Sequence, residues 1–128
     1  MDQKSRKILV VDDSETNLIL LEAVLEESGW KVNTASSVKQ AMDMIHSEKP
    51  DLILLDLLMP RVDGYAMLDR LKANEDYKDI PVIVVSAVVD AKTQKTCLDK
   101  GACDYMPKPV DIDTLLVRVN EILDNPGA

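Results

Sequence analysis

The chain predicts an α/β domain with a central parallel sheet and helices on both faces. Two observations predict it. Short unbroken apolar runs alternate, five times over, with segments whose apolar residues recur at helical spacing. The runs also stop abruptly at polar residues: Ile8 to Val11 at Asp12, Leu52 to Leu55 at Asp56, and Val82 to Val85 at Ser86. Runs of this kind read as strands buried on both faces, as in a parallel sheet. The 128 residues suit one domain, with a core of about 7–123 and residues 124–128 as a tail or the start of a linker.

Ile8-Leu9-Val10-Val11 is the first strand. Ser14 is a good helix N-cap with Glu15 in the first turn, and Leu18, Leu21, Val24 and Leu25 supply the apolar stripe up to the stop at Gly29. Trp30 leads into a second strand, Lys31 to Ala35. Ser36 or Ser37 caps the next helix, whose stripe is Val38, Ala41, Met42 and Ile45, and Lys49-Pro50 breaks it. His46, the single histidine, reads as a solvent-facing residue at the negative helix end, with no catalytic role.

The third strand carries Asp56 at its end, followed by a loop from Leu57 to Gly64 and a helix from about Tyr65 to Ala73. Asn74 to Asp79 is a polar connection to the fourth strand. The helix from roughly Ala91 to Lys100 is polar, with only Ala91, Cys97 and Leu98 available to anchor it; weak anchoring marks a mobile element. Tyr105-Met106 is a short fifth strand ending in Pro107-Lys108-Pro109, and Asp111 or Asp113 starts an amphipathic last helix through Leu115, Leu116, Val119, Ile122 and Leu123. Right-handed crossovers give the flavodoxin-like (βα)5 order 2-1-3-4-5.

Composition excludes several classes. A net charge of −8 argues against direct nucleic-acid binding. No apolar run reaches the length of a membrane span, and the charged N-terminus is no signal peptide, so a cytoplasmic protein is expected. Cys97 and Cys103 match neither a redox pair nor a zinc pair, and read as reduced, largely buried thiols.

In the order 2-1-3-4-5 the strand ends bring together Asp12 and Asp13, Asp56, Ser86 and Lys108. Crowded carboxylates repel one another unless a cation intervenes. An all-oxygen acidic set without histidine or cysteine suits Mg²⁺, which keeps waters and leaves room for a phosphoryl oxygen. A carboxylate beside it can attack an activated phosphorus and form an acyl phosphate, while an ammonium and a hydroxyl bind the remaining oxygens. Each feature alone is common; their joint arrangement is not.

The sequence resembles the receiver domains of bacterial two-component response regulators, from about Lys7 to Leu123. The residues that carry the resemblance are Val10-Val11-Asp12-Asp13, Leu54 to Pro60, Asp63-Gly64, Val85-Ser86-Ala87 and Gly101 to Pro109. The resemblance implies that Asp56 accepts a phosphoryl group from a histidine kinase or phosphotransfer protein, with small donors such as acetyl phosphate as alternatives. It implies Mg²⁺, or Mn²⁺ in its place, held by Asp12, Asp13, Asp56 and the backbone carbonyl of Leu58. Ser86 becomes the switch hydroxyl, Tyr105 the switch aromatic, and Lys108 the partner of the phosphoryl group, with Lys108-Pro109 in the cis form. The surface made by the fourth helix, fifth strand and fifth helix would change, controlling a fused output domain or a partner protein, with a phosphorylation-dependent homodimer as an option.

The sequence departs from the family at Val110, where an aromatic often follows Lys-Pro. Leu58 and Val88, two residues past the acceptor and the switch hydroxyl, are apolar and cannot orient a hydrolytic water, so slow dephosphorylation is expected. The chain is expected to catalyse only its own phosphorylation and dephosphorylation. Three other readings compete. An aspartate-nucleophile phosphohydrolase usually has a second acid where this chain has Leu58. A flavin carrier would find its phosphate repelled by Asp12-Asp13. An unphosphorylated pseudo-receiver, serving only as an interaction module, would be favoured by loss of an acid or the lysine, and none is lost.

Overall fold

The computed structural model describes residues 6–57, 64–87 and 90–124. Its elements alternate as the sequence predicts: β1 (Lys7–Val11), α1 (Glu15–Glu27), β2 (Lys31–Ala35), α2 (Val38–Ser47), β3 (Leu52–Asp56), α3 (Gly64–Lys72), β4 (Val82–Ser86), α4 (Ala91–Asp99), β5 (Asp104–Pro107) and α5 (Ile112–Asp124). The sheet is parallel throughout, in the order β2-β1-β3-β4-β5.

Successive strand residues point to opposite faces, and this divides the core in two. Leu9, Val11, Ile53, Leu55, Val82 and Val84 pack with α2, α3 and Cys97 of α4. Ile8, Val10, Leu52, Leu54, Ile83 and Val85 pack with the stripes of α1 and α5. Both faces of β3 are therefore apolar and all five of its residues are buried, which explains a run with no polar alternation. Among the described residues no helix is long and apolar enough to cross a membrane.

The caps follow from side-chain chemistry. Ser14 and Ser37 accept hydrogen bonds from the backbone N–H of Asn17 and Gln40, so Ser37 rather than Ser36 caps α2. Asp111 takes the corresponding place before α5: its carbonyl accepts from the Leu115 N–H at 2.9 Å, and its carboxylate from the Thr114 hydroxyl at 2.5 Å. Gly29 and Gly101, which follow α1 and α4, have φ of 105° and 107°, a region that favours glycine.

Four expectations need correction. Cys97 is buried but Cys103 is exposed, because it precedes β5 at the sheet edge instead of lying on an inward helix face. Of the three residues expected to anchor α4, Ala91 and Leu98 are exposed and Cys97 alone is buried. Val24 lies at the margin of the α1 stripe and is only half-buried. Helix α3 begins at Gly64 and ends at Lys72, one residue earlier at each end than expected. His46 is exposed, as expected, yet its Nδ1 lies 2.6 Å from the Tyr77 hydroxyl.

Gly64 decides how closely α3 approaches β3. A Cβ there would stand 2.8 Å from both the Cα and the carbonyl oxygen of Leu57, and 3.0 Å from the carbonyl oxygen of Asp56. Those are backbone atoms and cannot rotate away, so the junction must widen. Gly64→Ala is expected to cost about 2 kcal/mol of stability, measured by urea unfolding with the single, buried Trp30 as fluorescence probe. A loss under about 0.5 kcal/mol, the range of a neutral surface change, would contradict the close approach.

Candidate functional site

Register builds the site. Val11 pairs with Leu55, so Asp12 and Asp56 leave neighbouring strands at the same level. Asp56 pairs with Val85, and Ser86 with Pro107, so Ser86 arrives one step further along and Lys108 one step beyond that. The N–H of Lys108 donates to the Ser86 carbonyl at 2.9 Å, and the N–H of Leu57 to the Val85 carbonyl at 3.2 Å. These bonds prolong the sheet just past the strand ends.

Carboxylate oxygens of Asp12, Asp13 and Asp56 lie within 4.8 Å of one another. Asp12 and Asp56 are buried at 3% and 4% exposure, while Asp13 is exposed. The Lys108 Nζ stands 3.1 Å from Asp12 Oδ2 and 3.3 Å from Asp56 Oδ2. One ammonium thus faces two buried carboxylates with a third nearby, leaving the cluster net negative. Burial works against the Lys108 charge, but the hydrogen bond and attraction to Asp12, then Asp56, outweigh it and hold the ammonium above its ordinary lysine value.

Asp12 is fixed from several sides. Its Oδ1 accepts from the Ser14 N–H at 2.8 Å and its Oδ2 from the Asn17 side-chain amide at 3.4 Å. Cap chemistry accounts for Ser14 in the sequence but gives Asn17 no role. Its signal is its position one helical turn after Ser14, which brings its amide back over the strand end. A recess of about 340 Å³ opens beside the site, lined by Asp12, Asn17 and Lys108 with Leu20, Val85 and Ile112 among its apolar walls. Ser86 is fully buried and Tyr105 is buried on β5. The Lys108-Pro109 bond is cis, as expected. Of the expected participants, Leu58 lies outside the described residues, as do Val88, Asp63 and the Met59-Pro60 pair.

An oxygen-only set of three closely spaced carboxylates fits a hard divalent cation by charge and by donor type. Asp12, Asp13, Asp56 and Lys108 meet at the strand ends, and Ser86 closes the neighbouring strand β4. Residues 8–120 match the response regulator receiver domain family. The chain is a member of that family. This receiver domain is 37% identical over 117 residues to the response regulator MprA of Mycolicibacterium vanbaalenii, covering 91% of this chain and 50% of that protein. It is 38% identical over 118 residues to the response regulator PleD of Caulobacter vibrioides, covering 92% of this chain and 26% of that protein. The receiver domain thus spans half or less of the length of these relatives. Among solved structures it resembles the receiver domain of the Francisella response regulator 1452, with a TM-score of 0.87, 32% identity, and coverage of 94% of this chain and 98% of that one. It equally resembles the signal receiver domain of a signal transduction histidine kinase from Syntrophus aciditrophicus, with a TM-score of 0.87, 33% identity, and coverage of 96% and 93%.

Proposed function

We propose that this receiver domain is a phosphorylation-controlled switch in which Asp56 accepts a phosphoryl group. The observation that carries the reading is the Lys108 ammonium set between the buried Asp12 and Asp56 carboxylates at 3.1 and 3.3 Å. A carboxylate held this way is desolvated, oriented and partly relieved of repulsion. An Asp56 oxygen attacks phosphorus, the bond from phosphorus to the donor's leaving group breaks, and an acyl phosphate forms. Lys108 then moves its ammonium from the carboxylates to a phosphoryl oxygen, and the Ser86 hydroxyl donates to another.

Asp12, Asp13 and Asp56, with the Leu58 carbonyl, would hold Mg²⁺, or Mn²⁺ in its place. When bound, the cation supplies the positive charge that lets phosphoryl oxygens approach three carboxylates. Asn17 keeps Asp12 in place. Tyr105 and Ser86 relay the change to the surface of α4, β5 and α5.

The donor we infer is a cytoplasmic histidine kinase or phosphotransfer protein, with acetyl phosphate as a small substitute. The core from about residue 7 to 123 works as one domain. It acts alone or as part of a longer regulator, on a fused output domain or a separate partner, with a homodimer as one mode of action. It has no separate turnover substrate. The decisive experiment is intact mass after incubation with acetyl phosphate, with and without Mg²⁺. A single phosphoryl adduct that needs the metal supports the reading. No adduct under any condition, with Mg²⁺ binding confirmed and a cognate kinase also failing, moves the function to constitutive protein binding.

Leu58 and Val88 lie outside the described residues, and the slow-dephosphorylation expectation rests on their apolar character alone. Once formed, the adduct should persist for minutes or longer in the isolated domain with Mg²⁺. Decay within seconds would show that water is oriented by other means.

A further inference from the structure

Helix α4 has nine residues and only Cys97 among them is buried. Burying one small side chain gives a helix little hold on the core. A polar contact to α3 adds to that hold. Lys100, the C-cap of α4, places its Nζ 3.1 Å from both carboxylate oxygens of Asp69. The same ammonium sits 5.9 Å from the centroid of the Tyr65 ring. Both of these α3–α4 contacts converge on Lys100, at the end of α4.

The α3 side of this cluster is tied to the site. Gly64, next to Tyr65, donates its N–H to the Leu57 carbonyl at 3.2 Å, one residue past Asp56. Its lack of a side chain allows α3 to sit directly against the backbone of Asp56 and Leu57. A contiguous set of contacts thus runs from the end of β3, through the first turn of α3, to the last turn of α4.

We propose that Tyr65, Asp69 and Lys100 form a latch that holds α4 against α3 in the unmodified protein and sets how readily the helix leaves that position. The proposal rests on the reading of Asp56 as acceptor only for its second half, the coupling to phosphorylation. An exposed ion pair contributes little on a well-anchored helix. Here the pair is two-pronged, is joined by a cation–π contact, and competes with a single buried side chain. Contiguity alone does not establish coupling, which requires one two-state element biased from both ends. If α4 is that element, weakening the latch raises the population of the released form, and a site that favours the released form fills faster.

The test uses the full chain with Lys100→Met, Asp69→Asn, the double variant, and Tyr65→Leu. Methionine keeps the stem of Lys100 and its helix preference, and Asp69 is exposed, so folding is not at issue for these two. Hydrogen exchange of the α4 amides is read first, without phosphodonor. Exchange about threefold faster in each single charge variant, no faster still in the double, and faster in Tyr65→Leu supports the latch. Unchanged exchange in both charge variants overturns it. Adduct formation from acetyl phosphate with Mg²⁺ is read second and should be about threefold faster in the same variants. Faster exchange with an unchanged rate of adduct formation overturns the coupling. Faster exchange with no adduct on the unaltered chain, from acetyl phosphate or from a cognate kinase, overturns the acceptor reading and leaves the latch standing.

Discussion

Asp56→Asn should abolish the phosphoryl adduct formed from acetyl phosphate and Mg²⁺, while the unaltered chain gains one group. The effect is expected to be complete. An amide has almost the shape of a carboxylate but not its nucleophilic, charged oxygen. The alternatives are the other two acids. Asp12 is buried, but its oxygens are occupied by the Ser14 N–H, the Asn17 amide and Lys108. Asp13 is exposed and has no such setting. The fold should survive the change, since asparagine fills the same volume and removes one of the charges crowding the site. Intact mass and urea unfolding on the same sample separate the two effects. A full adduct on the variant would show that another acid accepts the phosphoryl group, and would remove Asp56 from its proposed role.

Lys108→Met should lower stability by about 2 kcal/mol, even though it exchanges a charged side chain for an apolar one of similar length. The reason is what it leaves behind. Asp12 and Asp56 are almost wholly buried and would face each other without a cation. Removing one partner of a buried ion pair costs about 3–5 kcal/mol; Lys108 keeps 23% exposure, so solvent relieves part of that. The cost also depends on pH in a defined direction. The ammonium is held above its ordinary value near 10.5. Its contribution is therefore complete below that value and is lost as pH rises through the higher folded value. The gap between the two proteins should be flat from about pH 7 to 10 and should close only as pH rises above about 10.5. Millimolar Mg²⁺ should narrow it too, because a bound cation restores the missing charge. A gap that stays near zero at neutral pH without metal would mean that the carboxylates are better hydrated than their burial indicates.

Much of this molecule was legible from its residues. The unbroken runs Ile8 to Val11, Leu52 to Leu55 and Val82 to Val85 declared a sheet covered on both sides, because polar residues on either face would be desolvated. The acids, hydroxyl and lysine that follow strands were visible for the same reason: a polar residue directly after a buried strand must sit at its open end. Helix ends were less legible. Local sequence places Gly64 in the loop, yet it opens α3, because only a residue without a side chain fits against the Leu57 backbone. That constraint belongs to the neighbouring strand and leaves no local pattern.

The alternation, the two-sided core and the set of residues at the strand ends are thus written in the residues themselves. The distances among them come from packing: Lys108 lies 96 residues from Asp12 in the chain and 3.1 Å from it in space. Packing also leaves Cys103 exposed and Cys97 as the one buried residue of α4, and it brings Lys100 to Asp69 and Tyr65. The difference is one of range. Burial pattern and capping act within a few residues, so they are written in local sequence. Electrostatic pairing and close backbone approach depend on which elements the crossovers bring side by side, and that is settled only when the whole sheet has formed.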